Sequence, residues 1–307
     1  MDTTPLAVFL FGPSLERRTR RACAAALGER GKELGILPGF SSSRKRRSRK
    51  TVSKAAPDEG SESPARESPK PERYRAGTYR LRAFLRTALR WVALVHAWYI
   101  LTTACLLLVY RRVDPPITVL MAYRSAVDGW KLSPQRNVRL AKVPSLVRRM
   151  VVSVEDGKFY SHHGVDFDAI QYARQVNRQV GRPLYGGSTL SMQTARTLFL
   201  VPFKNYLRKY LELIATVEME LILPKERILE IYLSWAEWGK GVFGIEAAAR
   251  KFYGKSLARL DLDQTARLVA LLSSPIRYTP ETLHKNGILR TRYQYLVGKY
   301  GAVDGEQ

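Results

Sequence analysis

Cysteine is scarce: Cys23 and Cys105 are the only two in 307 residues. No zinc-binding spacing can be built from them, and no disulfide framework is expected. Histidine is nearly as rare, with four in the chain. Acidic residues are short against basic ones, 27 to 51, which leaves a net charge of +24 and a pI near 10.3. That balance calls for an anionic partner: nucleic acid, membrane head groups or a phosphorylated substrate. Aliphatic side chains are almost missing from "SSSRKRRSRKTVSKAAPDEGSESPARESPKPERYR", residues 41–75. Such a segment cannot bury enough surface to offset the entropy of ordering. Residues 1–85 are therefore read as a disordered basic tail, with one weak helical stretch at "SLERRTRRACAAALGERG". The tail is either a solvated linker or a segment drawn to anionic lipid.

The next absence is of charge. Trp91 to Tyr110, "WVALVHAWYILTTACLLLVY", holds no Lys, Arg, Asp or Glu in twenty residues. That length spans a bilayer, and Trp91, Trp98, Tyr99 and Tyr110 supply interface residues. Six Lys and Arg residues lie in 71–90 against three in 111–130. The bias places the N-terminus in the cytoplasm and the bulk of the chain outside.

Hydrophobic residues make up 45% of the chain, enough for a core. After an extended connector over 111–142, the pattern becomes helical through a domain at 143–300. Asp166 caps a helix that ends at Gly181. Ser188 caps another after the Gly-Gly pair. A third starts near Asn205 and stops before Pro224, with Leu207, Leu211, Ile214, Val217 and Leu221 on one face. "KERILEIYL" and "FGIEAAARKFYG" carry two more. "DQTARLVALLSSP" reads as a helix with an Asp cap and a Pro stop. No run of alternating strands and no internal repeat is visible, so the domain is mostly α.

Three stretches carry chemistry. "VVSVEDGKFYSHHGVDFDAI" gathers Glu155, Asp156, His162, His163, Asp166 and Asp168. The adjacent histidines lack the spacing of a metal site. A polar loop remains open as a reading, as does a general base at Glu155, which follows an apolar run that would partly desolvate it. "LYGGSTLSMQTARTLFL" places free backbone N–H groups at a helix N-terminus beside Ser188 and Thr189, a setting for phosphate. Its Arg196 and following apolar residues fit a membrane-dipping surface or an ordinary core helix. "LRKYLELIATVEME" sets Arg208, Lys209 and Glu212 on one helix face. They form a surface ion-pair cluster of little energetic weight or a carboxylate among pyrophosphate-binding cations.

In order, "EDGKFYSHHGVD", "GGSTLSMQTARTLF", "RKYLE", "KERILEIYL" and "WGKGVFGIEAAARKFYGK" resemble the five signature motifs of the family 51 glycosyltransferases, the peptidoglycan glycosyltransferases. "AEWGKGVFGIEAAARKF" is most similar to the monofunctional biosynthetic members, and the chain leaves no room for a transpeptidase domain. The resemblance implies a lysozyme-like domain with a small membrane-leaning jaw. It implies polymerisation of lipid II into a growing lipid-linked glycan, at the bacterial inner membrane with the catalytic domain periplasmic. Glu155 then matches the catalytic base and Glu212 the second acid. Gly187, Ser188, Thr189, Gln193, Arg196, Arg208 and Lys209 match substrate-binding positions. Asp156, Phe159, His162, Gly164 and Asp166 match the first motif's framework, so His162 is structural rather than a metal ligand. No cofactor is firmly implied, with Mg²⁺ or Mn²⁺ the candidates. Penicillin-binding and cell-division proteins are the partners it suggests, and nucleic acid is not. Met192, Arg196, Thr197 and Ser234 depart from the family's usual Gln, Lys, Asn and Asn; an Arg at a phosphate is not equivalent to Lys. Two rivals stand beside this reading. One is a lysozyme-like hydrolase or lytic transglycosylase using Glu155 as acid. The other is a non-enzymatic membrane protein whose basic tail binds lipid or nucleic acid.

Overall fold

The computed structural model describes residues 72–181, 185–203 and 205–301. The chain divides into two compact units, 1–91 and 92–307. In the first, the described part is helical from Glu72 onward. Residues 72–85, expected as tail, therefore belong to a helix. The remaining tail, including the weak helix of residues 14–31, lies outside the described residues. The helix α1, Glu72–Tyr110, continues into the second unit and is about 58 Å long at 1.5 Å per residue. Its apolar stretch is long enough to cross a membrane.

Between residues 92 and 110, α1 keeps one face on protein. Thr103 is 2% exposed and Leu107 fully buried, while Leu101 and Leu108 stay exposed. The helix end is closed by buried Arg227, which donates to Tyr110 O at 2.8 Å and Val113 O at 2.9 Å. A cation on terminal carbonyls satisfies them and suits the helix dipole.

The connector is not simply extended. It holds α2, Val119–Ala126, capped by Thr118, and a short 3₁₀ turn at Leu140–Lys142. Then follow α3 (Ser145–Glu155), α4 (Phe167–Val180), α5 (Leu190–Phe199), α6 (Tyr206–Ile222) and α7 (Lys225–Trp235). A small antiparallel pair, β1 (Glu237–Gly239) and β2 (Val242–Phe243), precedes α8 (Ile245–Tyr253) and α9 (Leu262–Leu271). The last helix, α10 (Gly287–Gly301), was not expected from the sequence.

The mostly helical class and the caps at Asp166, Gly181, Asn205 and Gly254 agree with expectation. Two caps are displaced. Thr189, not Ser188, accepts from Met192 N at 3.1 Å and starts α5. Asp261, not Asp263, closes a capping box with Gln264; Asp263 pairs with Arg267 instead. Helix α7 forms the centre: from Arg227 to Trp235 only Glu230 escapes burial. A helix apolar on nearly all sides belongs inside a core.

Helix α6 inverts the expected amphipathic arrangement. Its buried face holds Glu212, Ala215, Thr216 and Met219. Its apolar stripe instead points outward, with Leu207 64%, Val217 50% and Leu221 81% exposed. Of the apolar run proposed as a membrane-dipping surface, Leu198 and Leu200 are buried and α5 is a core helix, while Phe203 beyond it is 54% exposed.

Candidate functional site

Glu155 is the last residue of α3, where the helix ends against the turn that holds Asp156. Its side chain is 9% exposed. One oxygen is bonded to Arg292 of α10, and the other accepts from Gln193 Nε2 at 3.1 Å. Gln193 in turn accepts from Tyr232 Oη at 3.4 Å. Burial, then the negative charge of Glu155, pushes the Tyr232 phenol far above its usual range, so it stays a donor. Arg292 is the contact of Glu155 that the sequence reading missed. It lies on the unexpected helix.

The framework below Glu155 is a closed hydrogen-bond circuit. Asp156 is buried, and its Oδ2 accepts from Leu190 N and from His162 Nε2, each at 2.9 Å. His162 Nδ1 accepts from Gly164 N at 3.0 Å, so Nε2 carries the proton. Both ring nitrogens are thus committed, and His162 has no nitrogen free for a metal. Burial pushes the Asp156 carboxyl up, opposed by the Leu190 N–H and His162. Thr189 Oγ1 donates to Gly164 O at 2.6 Å, tying the start of α5 to the same turn. Gly164 has φ +93°, a value L side chains rarely adopt, and a Cβ there would press on Thr216 and Glu220 of α6. Phe159 is fully buried under the Lys225 ammonium, 4.7 Å from its ring centre. Asp166 caps α4 by accepting from Ala169 N at 2.9 Å. His163 and Asp168 join none of this; Asp168 pairs with Lys158 on the surface.

The cationic half of the site is built on α6. Glu212 is wholly buried and accepts from Arg208 and Lys209, each at 2.6 Å. It is not a surface ion-pair cluster, as one reading held: removing either cation leaves a buried charge short of a partner, which is costly. Lys209 also donates to Ser188 Oγ at 3.3 Å, which brings the Gly-Gly loop onto α6. Gly187 permits this because its backbone runs against α4; a Cβ there would lie 2.7 Å from Ile170 Cα.

A cleft of about 390 Å³ runs beside these groups. Arg124, Arg196, Arg208, Glu237 and Gln193 are among its polar lining, and Leu120, Leu200, Pro202, Pro275 and Ile276 among its apolar lining. Arg124, from the connector helix α2, is held by Glu237 through two bonds of 3.1 Å and by Asp128 at 2.8 Å. Arg196 forms no ion pair among the described residues. Its charge is nonetheless felt at Glu237 and Tyr232. Gln193 links the cleft to Glu155. Among the described residues, no three His, Cys, Asp or Glu side chains gather as metal ligands.

The departures from the family pattern have visible settings. Met192 is buried in the core. Thr197 Oγ1 donates to Gln193 O at 2.9 Å. Ser234 is buried, and its Oγ accepts from Val138 N at 3.1 Å, pinning the connector.

Residues 126–299 match the family model described as transglycosylase. The chain is similar to the biosynthetic peptidoglycan transglycosylase of Rhodospirillum centenum, 46% identical over 193 residues, covering 63% of this chain and 83% of that one. It is 43% identical over 171 residues to the protein of the same name from Caulobacter vibrioides, covering 56% and 73%. A third, from Pseudomonas putida, is 42% identical over 199 residues, covering 64% and 84%.

Proposed function

This chain belongs to the transglycosylase family, and from that premise we infer that it polymerises lipid II into the β-1,4 glycan strands of peptidoglycan, releasing undecaprenyl pyrophosphate. The observation that carries the assignment to this site is the pairing of a cation-rich, apolar-walled cleft with a carboxylate one side chain away. The cleft suits a lipid pyrophosphate: Arg196, Arg208 and Lys209 meet the anion, and the apolar walls receive the start of the polyprenyl chain. Glu155 takes the proton from the 4-hydroxyl of the acceptor GlcNAc as that oxygen attacks C1 of the donor MurNAc with inversion. Gln193 orients Glu155. Glu212 holds the two α6 cations in place rather than touching sugar. Cations set before the reaction against the leaving pyrophosphate stabilise the charge that grows as the C1–O bond breaks.

A resident divalent cation does not fit these residues. Glu155, Glu212 and Glu237 are each matched to guanidinium or ammonium groups. Neutralising the pyrophosphate falls to the arginines and Lys209.

The lysozyme-like domain with its membrane-leaning jaw is part of this reading, and the jaw draws support from α6. Tyr206 is 96% exposed at the start of the helix, with Leu207 next to it, and Leu221 faces outward at the far end. Such side chains sit well at a membrane interface. The excess of Lys and Arg before the apolar stretch supports a cytoplasmic N-terminus and a periplasmic catalytic domain.

The test is incubation of the full chain with labelled lipid II, with products resolved by gel. Lys209→Ala is expected to slow polymerisation on the order of 10²-fold. Because Glu212 is buried, the variant also loses about 1–3 kcal/mol of stability, so its folded fraction is measured alongside. Undiminished polymerisation by the folded variant would remove Lys209 from the pyrophosphate site, and a parent that releases fragments from lipid-free glycan without polymerising lipid II would favour the hydrolase.

A further inference from the structure

Helix α1 meets α6 at three levels. The His96 and Tyr210 rings lie 5.6 Å apart. Tyr99 Oη donates to Leu211 O at 3.1 Å. Thr103 Oγ1 lies 2.5 Å from Glu218 Oε2. Leu211 is the neighbour of Glu212, and Arg208 and Lys209 lie within the preceding turn, so these contacts bear on the helix that holds the site's cations.

The third contact has an unusual hydrogen count. Thr103 Oγ1 also lies 2.8 Å from Tyr99 O and 3.1 Å from Ile100 O. A hydroxyl has one hydrogen. With Glu218 ionised, three oxygens lacking hydrogens would compete for it. The second carboxyl oxygen, Oε1, is sealed from solvent and has no hydrogen-bond partner. Along α1, no Lys, Arg, Asp or Glu occurs from Trp91 to Tyr110. The titratable group facing Glu218 from α1 is Tyr99. From α5 and α7, Ser191 and Lys225 turn to Glu220 instead. An ionised carboxylate in this place would be desolvated without a cation.

A proton on Glu218 resolves the count. The carboxyl O–H donates to Thr103 Oγ1, and the threonine hydroxyl donates to Tyr99 O. We propose that Glu218 is a neutral acid in the working enzyme, latched to Thr103, and that it is a positioning residue that sets α6 against the membrane helix. Burial raises the Glu218 carboxyl above its ordinary value, which agrees with this state. The sign follows: the latch is intact below that raised value and is lost as pH rises through it.

The inference rests on the polymerase reading, and its test has one arm that does not. In the full chain in detergent, the infrared difference between parent and Glu218→Gln should contain the band of a protonated carboxylic acid; a carboxylate band in its place overturns the proposal whatever the activity. In the lipid II assay, Glu218→Gln, whose amide can donate to Thr103, should keep the parental kcat within about twofold. It should also escape the loss of rate that the parent shows at alkaline pH. Glu218→Ala and Thr103→Val should each lower kcat about 10- to 100-fold with KM little changed, as expected for misplacement remote from the chemistry. Thr103→Val removes the hydroxyl without opening a cavity, so it reports even if Glu218→Ala folds poorly. A Gln variant as impaired as the Ala variant, or a parent and Gln variant that fall at the same pH, overturns the latch.

Discussion

Glu155, with its side chain 9% exposed, and wholly buried Glu212 are both carboxylates bonded to cations, yet they are held in opposite ways. Glu212 takes both partners from its own helix, at i−3 and i−4. Glu155 takes its partners from two other elements, Gln193 on α5 and Arg292 on α10, which is 137 residues away. Glu212 is wholly buried, so releasing Arg208 and Lys209 would strand its charge. Glu155 can exchange Arg292 for a substrate hydroxyl by a side-chain movement alone. The first arrangement makes a fixed cationic platform, and the second makes a carboxylate that is free to change partner.

The largest effect that would break this comparison is at Glu155. Glu155→Gln keeps the shape and the contact with Gln193 but cannot accept a proton. The folded variant is expected to polymerise lipid II roughly 10²- to 10⁴-fold more slowly. A rate close to the parent's would remove Glu155 from the base role and leave the cleft without one. Thermal unfolding should move to a lower temperature, because the amide leaves the mostly buried Arg292 guanidinium without its carboxylate, so the rate is read on the folded fraction.

Arg292 sharpens the same contrast at a smaller magnitude. If the guanidinium orients Glu155, Arg292→Ala should lower kcat about tenfold, the cost of one lost orienting contact. Arg292→Lys should recover part of it by restoring charge without the planar fork. An Arg292→Ala enzyme as fast as the parent would mean that Gln193 alone suffices.

The two carboxylates also mark where the sequence is readable. Arg208, Lys209 and Glu212 follow from helical spacing, because their contacts lie within one turn. So do the caps of α4 and α6, since Asp166 and Asn205 act on backbone groups three residues on. Arg292 could not be read this way, since its pairing with Glu155 requires the packing of α9, α10 and α3. The helix itself left a trace: Leu289, Tyr293, Leu296 and Tyr300 recur at helical spacing, and all but Tyr293 are buried. The orientation of α6 was lost for another reason. Periodicity finds the apolar stripe but not its neighbour, and here polar Glu212 and Thr216 go inward while leucines face outward. That inversion fits a helix whose outer solvent is lipid rather than water. Arg124 and Glu237 were missed because their pairing spans 113 residues, and the local Arg124–Asp128 pair reads as an ordinary surface contact.

The smallest expected effect concerns adjacent hydroxyls that sequence cannot rank. Ser188 and Thr189 are both good caps, and a shift of one residue decides which one serves. In the structure Thr189 is 2% exposed, accepts from Met192 N and donates to Gly164 O. Ser188 only receives Lys209 at 3.3 Å. Thr189→Ala should therefore cost about 1–2 kcal/mol of stability through the lost cap. It should also loosen the turn below Glu155. Ser188→Ala should change stability by less than about 0.5 kcal/mol, as surface substitutions do. Its effect should appear instead as weaker binding of the lipid substrate, because Lys209 loses the hydroxyl that ties it to the Gly-Gly loop. Thermal melts of the two variants, set beside their KM for lipid II, distinguish the roles. If Ser188→Ala were the less stable of the pair, the helix would begin one residue earlier than described. The circuit linking Thr189 to Gly164 would then not be what holds the framework of Glu155 together.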